Sequence, residues 1–318
     1  MDDIITTSTI NPPAVMRDLG SLAESWIRFL DASSSATVAT YSRGIRPFIA
    51  HVREKGISIE GLSRNDIIAY KDALRAKGLR PSTITLYINC VRLLCQWLVA
   101  EGVLVSDVSI HIKGEKVGRG HKRDFLPVEG IRKTLDSIDR STLHGKRDYA
   151  LILLAVTDGL RTVEIARADI ADLREEAGDT VLYVQGKGRS ADKSEFVRVN
   201  GKTYQAIRDY LSARKAKDAA EPLFASLARN AECPRLTTRS VSEICKTRMV
   251  SAGYDSARLT AHSLRHSACT LALKAGMPID SVRQFMRHSS INTTLIYSHA
   301  LEAHENEGAA TLENVLFA

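Results

Sequence analysis

The chain has 318 residues, of which 44% are hydrophobic and 25% charged, and its net charge is +7. This composition is typical of a soluble protein of two domains, and we find no apolar run approaching the roughly 20 residues that span a bilayer. Residues 1–10 carry Asp2 and Asp3 and no basic residue, so we expect no secretory signal, no membrane partner and a cytoplasmic location.

The basic charge suggests a polyanionic partner without proving one. The isoelectric point is about 9.2, and the segment from Leu301 onward carries four glutamates and no lysine or arginine. The basic residues therefore lie in the rest of the chain. Charge alone leaves nucleic-acid binding and no such binding about equally open.

The cysteines are odd in number and form no C-x-x-C pair, which favours buried thiols over a zinc site or a disulfide framework. They are Cys90, Cys95, Cys233, Cys245 and Cys269.

The first third of the chain predicts a compact helical domain at residues 18–105, after a flexible N-terminus at 1–17. Apolar residues recur at three- and four-residue spacing from Asp18 onward, which indicates a first helix. We predict three more helices, at about 37–55, from Ser63 to Gly78, and from Pro81 to Gly102. Ser63 is the expected N-cap of the third helix, with Asp66 as its capping-box partner.

A polar, glycine-containing and basic stretch at residues 106–123 predicts a linker. It either is solvated without contacts or follows a phosphate backbone.

In the second half, helices are expected around 128–138 and 147–158. Alternating residues at 181–185 and 196–199, joined by a glycine-flanked turn, indicate a β-hairpin. The remainder predicts helices only, interrupted at Pro222, Pro234 and Pro278, and the expected fold is mainly α with a small antiparallel β-sheet.

Six polar residues in the second half are candidates for chemistry, although they are spread over 137 residues, counting both ends, and only a fold could assemble them. They are Arg161, Lys187, His262, Arg265, His288 and Tyr297.

Arg161 has Glu164 three residues later, on the same helical face. The pair is either an exposed helix ion pair of little energetic value or an arginine held by a carboxylate and directed at a phosphate.

His262 and Arg265 also share a helical face. His262 and His266 have the i, i+4 spacing of zinc ligands, but residue 263 is a serine and no third ligand is evident. We therefore expect no metal, and His266 is expected to be structural.

This set of residues suits metal-free phosphoryl transfer to a phenol. It contains two arginines, two histidines, a lysine and a tyrosine. A phenol with a pKa of about 10 is a poor nucleophile at neutral pH. It requires a phosphate whose charge is countered by donors placed where negative charge develops. A lysine on a hairpin is a plausible acid for the leaving hydroxyl.

The second half resembles the tyrosine recombinases, the phage integrase and Xer-like family of site-specific recombinases. The resemblance rests on Thr-Asp-Gly-Leu-Arg-Thr-Val-Glu-Ile at 157–165, Gln-Gly-Lys-Gly-Arg at 185–189, His-Ser-Leu-Arg-His at 262–266, and the segment from Arg287 to His299. The order and the spacing match, including nine residues from His288 to Tyr297. The resemblance also implies that the helical first domain is a core-binding domain that clamps DNA together with a catalytic domain at 124–305.

The resemblance implies a role for each candidate. Arg161 and Arg265 would bind the scissile phosphate, and Glu164 would support Arg161. The two histidines at 262 and 288 would act as donors and in proton transfer. Lys187 would be the general acid toward the leaving 5′-hydroxyl, and Tyr297 the nucleophile that forms a 3′-phosphotyrosine.

The family usually has glycine where this chain has Arg287. If the backbone requires a positive φ there, an arginine is strained; if it does not, the arginine adds a cation near the DNA.

The tail at 306–318 carries Leu312, Val315 and Leu316 at helical spacing. Such a short stripe must dock, either on its own domain or, as the resemblance favours, on a neighbouring subunit of a tetramer.

The resemblance thus implies an enzyme without a cofactor that recombines specific double-stranded DNA sites as a homotetramer. Its biological task could be integration, excision, inversion or dimer resolution, and a second recombinase or an accessory DNA-bending protein remains an open partner. The alternatives are a type IB topoisomerase and a non-catalytic DNA-binding protein. The intact set of six residues opposes the latter.

Overall fold

The computed structural model describes residues 18–30, 35–116, 124–186, 193–228, 235–305 and 315–317. The chain divides into two compact units, residues 1–119 and 120–318. The described residues are mainly helical and include one three-stranded antiparallel sheet, which confirms the predicted fold class.

The first unit contains four helices within its described residues. They are α1 (Leu19–Phe29), α2 (Ser35–Glu54), α3 (Arg64–Ala76) and α4 (Pro81–Ala100). The predicted capping box of α3 is present, because Ser63 N donates to Asp66 Oδ2 at 2.8 Å and Asp66 N donates to Ser63 Oγ at 3.4 Å. Glycines at positive φ follow α2, α3 and α4, as expected for helix C-termini.

The core of the first unit forms where the apolar stripes of these helices meet. Trp26, Phe48 and Tyr70 are among its largest buried side chains. By length and composition alone, α4 is apolar enough to cross a membrane, which the search for apolar runs missed. Seven of its residues are buried in the core of this unit, so the same hydropathy is explained by burial in a helical domain.

The beginning of the predicted linker packs on the first unit. Glu115 pairs with Lys71 Nζ at 3.0 Å and with Arg75 Nη2 at 2.7 Å. The backbone N–H of Glu115 also donates to Thr85 Oγ1 at 2.9 Å. Glu115 is therefore fixed against α3 and α4, and residues 117–123 lie outside the described part of the chain.

The second unit contains eight α-helices and three strands within its described residues. The helices are α5 (Val128–Asp136), α6 (Leu143–Val156), α7 (Thr162–Arg167), α8 (Gly201–Arg214), α9 (Thr238–Ser251), α10 (Ala261–Lys274), α11 (Ile279–Phe285) and α12 (Ile291–Glu305). The strands are β1 (Leu173–Glu176), β2 (Asp179–Val184) and β3 (Glu195–Arg198).

The core of the second unit is built around α6, whose residues from Ala150 to Val156 are all buried. This helix packs against α8 and α10. It begins at Leu143, earlier than the predicted start near residue 147, because the Thr142 side chain caps it by accepting from Gly145 N at 3.0 Å.

The sheet has the order β1-β2-β3 and is antiparallel throughout. Leu182 pairs with Leu173 on one side and with Val197 on the other. The predicted hairpin corresponds to β2 and β3, and β1 was not predicted. Residues 187–192, including Lys187, lie outside the described part of the chain.

The prediction that only helices follow the hairpin was wrong for the segment after α8. Lys215 adopts a left-handed conformation at φ +57° and ends the helix. Described residues beyond it form turns, with isolated bridges between Asp169 and Pro222 and between Ala225 and Arg235. Pro222, which cannot donate a backbone hydrogen bond, suits such a segment better than a helix.

Candidate active site

Arg161 lies at the N-terminus of α7 rather than inside the helix. Its Nη1 donates to Glu164 Oε1 at 2.7 Å, and its backbone N–H donates to Glu164 Oε2 at 2.7 Å. The Glu164 side chain is completely buried, and that of Arg161 is 23% exposed. The interpretation as an exposed helix ion pair was therefore wrong: a buried carboxylate orients this arginine.

Arg265 lies on the buried face of α10, beside Leu264, which is part of the core. The Arg265 guanidinium donates to the backbone carbonyls of Gly159 and Met286. Gly159 has a φ of +62°, a conformation in which glycine is unstrained. This backbone shape places the carbonyl that anchors Arg265 two residues before Arg161.

His288 and Tyr297 meet where the turn after α11 leads into α12. Their rings are stacked at 6.2 Å between centroids and 14° between planes. His288 Nδ1 shares a hydrogen bond of 2.9 Å with Thr294 Oγ1, which fixes the orientation of the imidazole. Tyr297 is buried and packs in a small cluster that includes Cys269 and Met286.

His262 and His266 extend this row of rings along α10. The His262 and His266 centroids are 5.2 Å apart, and those of His266 and Tyr297 are 5.0 Å apart. Sequence reasoning treated His266 as structural and missed its contact with Tyr297. The i, i+4 spacing that suggested zinc was the available signal, because it places both imidazoles on one helical face.

Arg287 is the second residue that sequence reasoning missed as a member of the site. Its backbone has a φ of +51°, so the strained alternative holds. Its side chain is 7% exposed and turns inward, where Nη2 donates to Glu164 Oε2 at 2.7 Å. Arg161 Nη2 in turn donates to the Arg287 carbonyl at 2.8 Å. This geometry does not present Arg287 as an exposed cation.

The clustering of guanidinium groups determines the protonation of the site. The pKa of His288 is lowered to about 4, first by burial and then by the positive charges of Arg265, Arg161 and Arg287, in that order. His288 is therefore neutral at physiological pH. Burial alone would raise the pKa of Glu164, but Arg287 and Arg161 hold it below its ordinary value, so this carboxylate is ionised.

This arrangement destabilises the charged form of Arg265. Burial, and then the like charge of Arg161, lower the pKa of Arg265, while Glu164 raises it. Such a site favours an anion, because a phosphate would offset the mutual repulsion of the arginines.

The structure thus brings together five of the six predicted residues: Arg161, His262, Arg265, His288 and Tyr297. The sixth, Lys187, lies outside the described residues. Lys193, the first described residue after this gap, is anchored, because its Nζ pairs with Asp169 Oδ2 at 2.7 Å and also with Asp172.

Comparison with known proteins matches both units to one family. Residues 125–304 match the Phage integrase family, and residues 23–102 match the phage integrase N-terminal SAM-like domain. The chain is 30% identical over 274 residues to the tyrosine recombinase XerC of Neisseria meningitidis serogroup C, covering 84% of this chain and 86% of that protein.

Solved structures share the fold. A XerH site-specific recombinase bound to a palindromic difH substrate, in a post-cleavage complex, aligns with a TM-score of 0.70 at 20% identity, covering 91% of this chain and 84% of that one. A lambda integrase tetramer bound to a Holliday junction aligns with a TM-score of 0.67 at 15% identity, covering 89% and 78% respectively.

Proposed function

This chain belongs to the phage integrase family of tyrosine recombinases, enzymes that cut and rejoin DNA at specific sites, and we propose that Tyr297 is its nucleophile. The observation that carries this assignment is the convergence of a buried tyrosine, a neutral histidine and two arginines from four separate segments. A tyrosine buried for packing alone requires no arginines at its side.

In the proposed cleavage step, the Tyr297 oxygen attacks the scissile phosphorus while the bond from phosphorus to the 5′-oxygen breaks. Arg161 and Arg265 bind the non-bridging oxygens, where negative charge grows. The phenol proton passes to neutral His288, and Lys187 donates a proton to the leaving 5′-oxygen, which becomes a hydroxyl. His262 serves as a further donor to the phosphate. Rejoining reverses these steps with the 5′-hydroxyl of a second strand.

His288 suits proton acceptance because two features prepare its ring. The hydrogen bond between Nδ1 and Thr294 fixes the imidazole plane, which leaves Nε2 for the reacting groups. Burial, and then the surrounding arginines, lower the pKa of His288 and keep the ring neutral in the free enzyme. A phosphate bound to those arginines would weaken their effect and make the imidazole more basic when the proton must be accepted.

Tyr297→Phe tests the assignment, because it removes only the hydroxyl. We expect no covalent protein–DNA adduct, with DNA binding close to wild type. The measurement is sequencing of DNA ends trapped on the purified full-length protein, which also maps the target site. Tyr183→Phe is the matched control, since its hydroxyl contacts only Glu176 among the described residues. A protease-sensitive adduct in Tyr297→Phe would refute the assignment.

We also propose that the enzyme acts as a tetramer on two double-stranded DNA sites, in the cytoplasm where the nucleoid lies. Support comes from Val315, Leu316 and Phe317, which form a helical turn and are 74%, 71% and 83% exposed. Such a turn is not stable alone and gains by docking on a neighbouring subunit. A head-to-tail contact of this kind closes a ring. A second recombinase in that ring is compatible with the same contact.

A further inference from the structure

Three guanidinium groups, those of Arg161, Arg265 and Arg287, surround the base of the candidate site. Arg161 and Arg287 share the carboxylate of Glu164, and Arg265 and Arg287 share the carbonyl of Gly159. The proposed mechanism uses the first two arginines and leaves Arg287 without a role.

The backbone at Arg287 makes a packing explanation unattractive. A non-glycine residue at φ +51° costs on the order of 1 kcal/mol, which glycine would avoid. The side chain is nearly buried, and its Nε lacks a hydrogen-bond partner among the described residues. Burying a charged side chain with one unsatisfied N–H is also unfavourable. The backbone strain and the unsatisfied N–H are both unfavourable, so the other contacts of Arg287 must offset them.

Arg287 and Arg161 are linked reciprocally through Glu164. Arg287 Nη2 donates to Glu164 Oε2, Glu164 Oε1 accepts from Arg161 Nη1, and Arg161 Nη2 donates to the Arg287 carbonyl. Arg287 also holds the turn before His288 through the carbonyls of Phe285, at 3.2 Å, and Gly159, at 3.3 Å. One side chain thus joins the phosphate-binding arginine to the segment that carries His288.

Arg287 also changes how much positive charge Arg161 can offer a phosphate. Without it, Glu164 would neutralise Arg161 alone. The other buried acid in this neighbourhood, Asp158, accepts hydrogen bonds from Thr157 at 2.6 Å and from Asn200 at 3.4 Å; burial raises its pKa, and Arg287 acts on it only through charge. A third guanidinium therefore shifts the local balance toward positive charge, which stabilises a transition state more negative than the bound diester.

We propose that Arg287 is a positioning residue for strand cleavage, which holds Glu164 and Arg161 in place and adds positive charge to the phosphate site. The Arg287 Nη atoms donate to Glu164 and to the carbonyls of Gly159 and Phe285, so we assign its action to these neighbours rather than to direct contact with the phosphate. This inference rests on the proposed function, because it assigns Arg287 to the same cleavage step.

The test compares Arg287→Gly with wild type in single-turnover cleavage of a nicked duplex carrying the site mapped by covalent trapping. Glycine relieves the backbone strain, so the variant is expected to fold. We expect the cleavage rate constant to fall about tenfold, less than the loss of a direct donor, with a smaller change in DNA affinity. Arg283→Ala is the control, because it removes the same charge from the half-exposed pair with Asp280.

A spectroscopic readout needs no DNA and separates positioning from general stability. Besides Arg287, the charged or titratable neighbours that lower the pKa of His288 are Arg265, Arg161 and His262. Removing Arg287 should raise that pKa, as followed by NMR of the imidazole, and Arg283→Ala should not. A purely structural role would lower the melting temperature and leave the His288 titration in place.

The outcomes separate this inference from the proposed function. If wild-type protein forms no adduct at Tyr297, the proposed function fails. If wild type forms the adduct and Arg287→Gly cleaves at the same rate with an unshifted His288 pKa, only the role of Arg287 is overturned. Should the glycine variant not fold, Arg287→Gln decides, because its neutral amide removes the positive charge and one of the two nitrogens that donate to Glu164 and to the Phe285 carbonyl. An unchanged rate constant in that variant also overturns the proposal.

Discussion

Replacing Glu164 with glutamine should destabilise the second unit by several kilocalories per mole. The carboxylate is completely buried and accepts three hydrogen bonds at 2.7 Å, from Arg161 N, Arg161 Nη1 and Arg287 Nη2. Glutamine has nearly the same shape but one acceptor oxygen, so its amide nitrogen must face a donor. Arg161 and Arg287 would then lie beside each other without the carboxylate that they share.

Removing one partner of a buried ion pair costs about 3–5 kcal/mol. For a unit of this size each kcal/mol lowers the melting temperature by roughly 2–4 °C, so we expect a loss of roughly 6–20 °C at neutral pH. The pKa of Glu164 is lowered in the folded state. Its stabilisation is therefore present above the ordinary glutamate pKa of about 4.3 and is lost as the pH falls through the lowered value.

Thermal unfolding of the full chain, followed by circular dichroism from pH 3 to pH 8, measures both effects. Glu243→Gln is the matched control, because Glu243 is 62% exposed in its pair with Arg239 and should leave the transition unchanged. The difference between Glu164→Gln and wild type should be constant above pH 6 and diminish in acid. A Glu164→Gln transition within 2 °C of wild type at pH 7, taking roughly 1 kcal/mol as the detection limit, would refute this account.

Three further predictions concern the reaction. Strand cleavage should persist in excess EDTA, because guanidinium and imidazole groups supply the donors in our mechanism; activity that strictly requires magnesium would contradict it. Lys187→Ala should slow cleavage of ordinary DNA, and a 5′-bridging sulfur should restore the rate because thiolate leaves without an acid; failure of this rescue would transfer the acid role to another residue. Deleting residues 308–318 should leave single-site binding near normal but impair cooperative assembly on native gels and strand exchange, and a truncated protein with wild-type recombination would exclude the docking role.

The features that local sequence patterns predicted correctly are those that depend on interactions between residues close in the chain. The capping box of Ser63 and Asp66 was recognisable because both partners lie within one helical turn. The hairpin of β2 and β3 was recognisable because its residues alternate. Strand β1, with the sequence Leu-Arg-Glu-Glu, lacks both alternation and β-branched residues, and it forms because β2 offers it a pairing edge.

The assembly of the site could be predicted only through the family resemblance, and its details only in part. The inward direction of Arg287 depends on a positive φ and on a buried carboxylate 123 residues earlier. Neither is visible in the neighbouring sequence. The same holds for His266, whose contact with Tyr297 depends on how α12 packs against α10.

The crowding of Arg161, Arg265 and Arg287 around one carboxylate makes substrate binding and conformational stability two aspects of the same equilibrium. An anion that binds only the native state stabilises it by an amount that grows with its concentration, about 2.7 kcal/mol at one hundred times its dissociation constant. A target phosphate would relieve the repulsion among the arginines and, through Arg287, order the turn that leads to Tyr297. We therefore expect the segment that carries Tyr297 to be best ordered, and most resistant to heat and proteolysis, when the protein is bound to its target DNA.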